Sequence, residues 1–244
     1  MELDEYERMA TAETAHWWYG TTRALLQDLL GPHLAAGGRF LDAGGGTGAT
    51  GTWMGASGAV VVADVEALAL QLARRDHPEI DGVALADVSV LPFADGSFDA
   101  TLCVTVLCHE LVPDPAATVR ELARVTRPGG FVGLMEPGVR RLRRAHDRVT
   151  HSARRFSRKD LATLVAGAGL EPVRSTAAYS FLVPPAAVKA VIERGQVASD
   201  IDRNEGGLGG LLPRLAQLER RLLRRVDLPA GLSVIAIGRR PSAG

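Results

Sequence analysis

The chain has 244 residues, 46% of them hydrophobic, and its 28 basic and 28 acidic residues balance to a formal net charge of zero. That length supports a full core in one domain, residues 1–244, with an appended cap, and the balance excludes a disordered chain and a broadly basic nucleic-acid surface. No apolar run approaches the ~20 residues of a membrane helix, the acidic start reads unlike a secretory leader, and Cys103 and Cys108 lie about 16 Å apart if extended, too far to bridge, so a reduced, cytoplasmic protein is expected.

Residues 3–30 read as helical. His16-Trp17-Trp18-Tyr19 is the densest aromatic cluster, placed either to pack that helix on the core or to touch a ligand. Thr21 to Leu30 is amphipathic and stops at Gly31-Pro32. Phe40 to Ala43 ends the first strand, and Asp42 leads into Gly44-Gly45-Gly46-Thr47-Gly48. Ala49 to Met54 reads as the start of a helix behind that turn. Glycines permit positive φ and close backbone approach, and a helix start presents unpaired N–H groups. Dinucleotide enzymes place a pyrophosphate on this device, and Gly44, Gly46 and Ala49 match their pattern. Methyltransferases place the amino-acid end of S-adenosylmethionine there, beside an acid at the strand end. Asp42 fits the second use better, and a simple tight turn remains the plain alternative.

Ala59 to Ala63 is a buried parallel strand that ends at Asp64, 20 residues after Gly44, where an acid meets ribose hydroxyls. A helix over Glu66 to Arg75 follows, then a strand over Val83 to Ala86 ending at Asp87. Leu91 to Ser97 is a turn, and Phe98 to Val106 is the fourth strand. Asp114 to Val125 is a helix with Ala116, Val119, Leu122 and Val125 on one face. Arg127-Pro128-Gly129-Gly130 breaks it before a strand over Phe131 to Met135. Strands alternating with helices make a doubly wound parallel sheet, in which ligands sit outside the carboxyl ends of the strands. Asp42, Asp64, Asp87, Thr105 to His109 and Glu136 all fall there. Farther on, Ser157 caps a helix over Arg158 to Ala168, Pro172 to Ala177 is a strand, and Pro184 to Gly195 is a helix. Leu211 to Val226 is a helix whose stripe of Leu211, Leu215, Leu218 and Leu222 is expected to pack on the core. Leu232 to Ile237 is the last strand. The arginines from Arg140 to Arg158 form either a solvated face or a site for an anionic or sugar-rich substrate.

Leu41-Asp42-Ala43-Gly44-Gly45-Gly46-Thr47-Gly48, Asp64, Ala86-Asp87, Leu91 to Asp99, Val106-Leu107-Cys108-His109 and Arg127-Pro128-Gly129-Gly130 stand in the order of a class I S-adenosylmethionine-dependent methyltransferase, and the chain resembles that family over residues 16 to 136. The resemblance implies a Rossmann-like, seven-stranded, mostly parallel α/β sheet with helices on both faces, the last strand antiparallel and a helical cap. It implies residues 1–30 as a lid, 31–140 as the cofactor-binding core and 184–226 as the cap. It places Gly44, Gly46 and Gly48 under the methionine part of the cofactor, Asp64 with Val65 on the ribose, Asp87 with Val88 at the adenine, and Thr105 at the next strand end. Tyr19 and Arg23 would close over the cofactor, Arg23 meeting its carboxylate. The His-Trp-Trp-Tyr opening, Arg154 to Leu161, Pro184-Pro185 and Leu228 to Ser233 further resemble a bacterial subgroup from polysaccharide or natural-product gene clusters. Many relatives carry an acid where Cys108 stands, and Glu110-Leu111 reads as a small insertion; both touch the acceptor side.

Methyl transfer is an in-line displacement that depends on positioning. A hydroxyl acceptor also loses a proton, which suits histidine. The candidate bases are His109, His146 and His151, with Asp147 placed to orient an imidazole. Trp17, Cys108, Glu136 and Arg155 are the candidate acceptor contacts. The histidines, Glu110 and Asp147 match no compact metal motif, so no metal is assigned. The expected activity is methylation of a small molecule or glycan, at oxygen, releasing S-adenosylhomocysteine, with no nucleic-acid partner. Rival readings are carbon or nitrogen methylation, a nicotinamide-dependent dehydrogenase, and a non-catalytic cofactor-binding protein.

Overall fold

The computed structural model describes residues 7, 10–13, 16–140, 142, 151–192 and 210–242. Seven strands form one sheet: β1 (Gly38–Ala43), β2 (Gly58–Asp64), β3 (Gly82–Leu85), β4 (Phe98–Val104), β5 (Thr126–Pro137), β6 (Glu171–Ala178) and β7 (Ser233–Arg239), in the spatial order β3-β2-β1-β4-β5-β7-β6. The pairs from β3 to β5 are parallel, and β7 runs antiparallel between β5 and β6. This is the Rossmann-like sheet expected from the sequence. The order reverses at β1/β4, which opens a crevice at their carboxyl ends.

Strand alternation divides the core. Phe40, Leu102, Met135 and Ile235 face α1 (Trp17–Leu30) through Leu25, Leu26, Leu29 and Leu30. Leu41, Cys103, Leu134 and Val234 face the opposite layer, with Val119 and Leu122 of α3 (Pro115–Val125) and Leu161 and Val165 of α4 (Arg158–Gly167). The period of two along each strand puts neighbouring residues on opposite faces, so both faces need helices to exclude water. The other helices are α2 (Ala67–Asp76), α5 (Val183–Ile192) and α6 (Leu211–Leu223). Asp114 caps α3 by accepting from Ala116 and Ala117, and Ser157 with Asp160 forms a capping box on α4.

Four expectations need correction. The helix expected over Ala49 to Met54 is only a 3-10 turn, Thr52–Ala56. Gly51, Gly55 and the β-branched Thr50 and Thr52 leave too little helix propensity for an α-helix to propagate. The helix expected over residues 3–30 is interrupted at His16, which has extended backbone and caps α1 through its ring, accepting from the Trp18 amide. Arg127 to Gly130 does not precede β5 but is bulged into it, with Gly129 at φ +78° and Arg127 bonded to Asp99. The leucine stripe of α6 does not face the core. Ala216 and Leu223 are its buried residues, while Leu218 is 63% exposed and Leu211 and Leu222 are also exposed.

Polar bonds explain that orientation of α6. Asp28 of α1 accepts a fork from Arg220 at 2.6 and 2.9 Å and another from Arg224 at 3.0 and 3.2 Å. Glu219 accepts from the Tyr179 and Ser180 amides. Tyr179 in turn shares a 2.7 Å hydrogen bond with Thr22 and stacks edge-on against Trp17. These contacts bind the first helix, the exit of β6 and the last helix into one unit. Among the described residues no helix is long and apolar enough to cross a membrane.

Candidate functional site

The glycine turn leaves β1 at the crevice. Gly44, Gly46 and Gly48 have φ of +71°, +55° and +90°, the left-handed region that glycine enters without strain. A Cβ on Gly44 would also lie 2.4 Å from Val106 Cγ2. Gly44 and Gly45 donate to the Ala63 carbonyl, tying the turn to β2. Asp42 points beneath it. Cβ atoms on Gly45 and Gly51 would fall 2.8 and 2.4 Å from Asp42 Oδ2, so both glycines make room for the carboxyl.

Asp42 is 1% exposed, and neither of its side-chain oxygens has a hydrogen-bond partner. Burial first, then the charges of Asp64 and Glu13, push its carboxyl from 3.8 up to about 7, against a small opposing effect of the Gly51 amide. A buried, unpartnered acid is costly unless something positive arrives beside it. Asp64 is also raised, chiefly by burial. It accepts from the Gly46 amide at 2.9 Å and the Glu66 amide at 3.0 Å, so it braces the turn as well as ending β2.

Glu13 was not legible as a site residue. It is buried ahead of α1 and accepts from Thr47 of the turn at 2.7 Å. Its neighbour His77 is raised, first by its bond to Glu13. Arg23 donates both guanidinium nitrogens, at 3.2 Å each, to the Glu13 carbonyl, which holds this segment over the turn. Tyr19 is 9% exposed and packs edge-on against Trp18; the Trp17 indole nitrogen is buried without a partner. No feature of the sequence around Glu13 separates it from a solvated acid; only proximity in the fold does.

At the β2 and β3 ends, Val65 is exposed, Val88 is buried, and Asp87 accepts from the Ser89 amide and hydroxyl at 2.7 Å each. Thr105, at φ +57°, turns the chain out of β4, and its amide donates to Met135. Glu136 lies behind that exit, fully buried. Its Oε1 accepts from Val106 at 3.0 Å and Leu107 at 2.8 Å, and its Oε2 from Cys108 at 3.0 Å. Burial pushes it up from 4.5 to about 7, against those three amides. Its oxygens are thus taken by the backbone, and it holds the exit loop from inside. Cys108 is buried, its thiol raised by burial and bonded to the Thr105 carbonyl and Ser152.

The fold brings His109 and His151 together, with ring centroids 6.0 Å apart and an antiparallel bridge joining His109 to Ser152. His151 Nδ1 lies 2.7 Å from Glu110 Oε1. His109 Nδ1 accepts from the Leu111 amide at 3.2 Å, and burial lowers its pKa. His146 and Asp147 lie outside the described residues. Arg154 donates to the Val112 carbonyl at 2.6 Å, Arg155 to Gly138 at 3.0 Å, and Arg158 to Leu228 and Ser175. These three arginines brace the loops, while Arg140 is exposed and Arg141, Arg143, Arg144 and Arg148 lie outside the described residues. Among the described residues, no three His, Cys, Asp or Glu side chains are grouped to hold a metal.

Residues 41–134 match the family model described as "Methyltransferase domain". A "Demethylmenaquinone methyltransferase" of Clavibacter sepedonicus is 38% identical over 137 residues, 54% of this chain and 52% of that protein. A "Ubiquinone biosynthesis O-methyltransferase" of Alkalilimnicola ehrlichii is 41% identical over 101 residues, 39% of this chain and 40% of that protein. The chain spans about half the length of the first of these curated relatives, or less. Among solved structures, the methyltransferase in complex with the Haloferax volcanii Trm112 activator superposes with a TM-score of 0.65 at 19% identity, covering 100% of this chain and 97% of that one. The glycine turn with its buried acid and the reversed strand order stand beside that match, so over residues 41–134 the chain is similar to methyltransferase domains.

Proposed function

We propose that this protein transfers the methyl group of S-adenosylmethionine to an oxygen of a small molecule or glycan, with a histidine taking the proton. The observation that carries the cofactor part is Asp42, a buried acid without a partner beneath a turn that only glycines can make. It suits a ligand end that is cationic and lies close to the backbone. In this reading Gly44, Gly46 and Gly48 hold the amino-acid end, Asp64 with Val65 the ribose, Asp87 with Val88 the adenine, and Thr105 the edge facing the acceptor. Tyr19 and Arg23 close the N-terminal side, with residues 1–30 as lid and 184–226 as cap. The bound cofactor supplies an activated methyl group on a sulfonium.

The protein's own work is then positioning and proton removal. Glu136 fixes the β4 exit, so the backbone from Val106 to Cys108 is set before an acceptor arrives. Trp17, Cys108 and Arg155 border the acceptor in this reading, and His109, His146 and His151 supply the base. One relative is named for O-methylation and another for C-methylation, so the oxygen acceptor rests on the histidines after the β4 exit.

The test is calorimetric titration with S-adenosylmethionine and S-adenosylhomocysteine, with NAD as control. Micromolar binding of the first two, weakened in Asp64→Ala, is expected. Binding of NAD alone would refute the proposal.

A further inference from the structure

Beyond that reading, we propose that the outward face of α6 is a membrane-docking surface: Leu211, Leu215, Leu218 and Leu222 enter the interface of an anionic lipid bilayer while Arg214, Arg221 and Arg225 meet its headgroups. The first observation is where the leucines point. They stand at i, i+4, i+7 and i+11, one line about 17 Å long on the helix. Leu218 is 63% exposed, Leu211 and Leu222 are 48% and 47% exposed, and Val226, one turn on, continues the line at 48%. Leu122 of α3 and Leu161 of α4, by contrast, are fully buried. An apolar line left on the surface marks a docking site. Its direction is fixed by the opposite side of α6. There Asp28 holds Arg220 and Arg224, Glu219 accepts from the Tyr179 and Ser180 amides, and Ala216 and Leu223 are buried. Turning the leucines inward would break all of these contacts at once.

The second observation is charge. Arg214, Arg221 and Arg225 stand at i, i+7 and i+11, so they line one edge of the leucine stripe. All three are exposed, and none has a side-chain partner among the described residues. The Arg225 and Val226 amides both donate to the Leu222 carbonyl, which keeps these two residues in step with the last turn. No acid of this element answers the arginines. Glu219, the one acid of α6, is turned inward, and Asp227 just beyond it is held by Arg174 of β6. Leucines beside an arginine edge suit a helix that lies in the plane of a lipid interface. There the arginine stems stay against apolar matter while the guanidinium groups reach phosphate. A second copy of this chain brings arginines and no free acid, so its charge does not complement the edge.

Flotation of the full chain with phosphatidylcholine vesicles, with and without phosphatidylglycerol, tests this. Binding is expected only where phosphatidylglycerol is present, and it should fall as salt rises. Changing Arg214, Arg221 and Arg225 together to Gln should weaken it about a hundredfold. Leu218→Glu should abolish it, and because these side chains are exposed, urea midpoints near wild type should report intact folds. A polarity-sensitive dye on Leu218→Cys, shielded from competition because Cys103 and Cys108 are buried, should report apolar surroundings on the anionic vesicles. The proposal is overturned by absence of binding, by equal binding to neutral vesicles, by a dye that stays in water, or by Leu218→Glu binding as the wild type does. A dimer in solution that Leu218→Glu separates would give the face to a second copy and overturn it too. Neither cofactor nor acceptor enters these measurements, so their outcome is independent of methyl transfer.

Discussion

Asp42→Asn should make the protein more stable at alkaline pH and worse at holding its cofactor. The variant keeps the shape of the side chain and removes the charge. A carboxyl raised from 3.8 to about 7, at about 1.36 kcal/mol per tenfold change in proton affinity, makes the ionised form ~4 kcal/mol less favourable in the fold than in the unfolded chain. The amide recovers part of that, since its own buried polar atoms cost ~1–3 kcal/mol without partners. A net gain of ~1–3 kcal/mol is therefore expected at pH values well above 7. Because the folded value lies above the unfolded one, wild-type stability from this group is fully present below 3.8 and lost as pH rises through about 7. The gain in the variant should therefore vanish in acid. Urea unfolding of both proteins at mildly acid and alkaline pH measures it, and taking the difference cancels most of the parallel titration of Glu136. Calorimetry should show S-adenosylmethionine binding weakened by about tenfold, ~1.4 kcal/mol. An Asn variant that is less stable at alkaline pH, or a difference that ignores pH, would refute the buried-charge reasoning.

Other substitutions test the supports of the site. At mildly acid pH, where Glu136 is protonated and no buried charge is removed, Glu136→Ala strands three amides and should cost ~3–5 kcal/mol in urea unfolding, whereas Glu136→Gln keeps one acceptor oxygen and should cost ~1–2 kcal/mol; equal costs would show that the amides find other partners. Gly44→Ala meets both a positive φ and Val106, and should cost ~2–4 kcal/mol with loss of S-adenosylhomocysteine binding. Adding Val106→Ala should return part of the stability by removing the overlap but not the strain, and no recovery would deny the contact. Tyr179→Phe and Thr22→Val should each cost ~1 kcal/mol, with a double-mutant coupling of ~0.5–1.5 kcal/mol between the first helix and the β6 exit; additivity would remove that bond from the account.

What was legible in the sequence is what local pattern and order determine. Alternating apolar runs and amphipathic segments marked seven helical segments and seven strands, and right-handed βαβ connections leave few ways to assemble them. Asp42, Asp64, Asp87 and Glu136 could be set at strand ends because a strand end is a position along the chain. Direction could not be read in the same way. Glu136 sits where expected, yet turns inward to three backbone amides, and Asp64 spends one oxygen on the glycine turn and the other on the Glu66 amide. The α6 stripe failed for a related reason: a pattern of leucines shows which residues share a face, but the Asp28 and Glu219 bonds chose which face turns inward.

Only tertiary structure brought together groups distant in sequence. Glu13 meets Thr47 across 34 residues, and Tyr179 meets Thr22 across 157. His151 of the segment after β5 meets Glu110 of the β4 exit across 41 positions of the chain. Hydrophobic periodicity carries no record of those neighbours. Periodicity selects a fold because apolar area is summed over many residues, whereas a hydrogen bond depends on the placement of two atoms, set only when the whole core has packed.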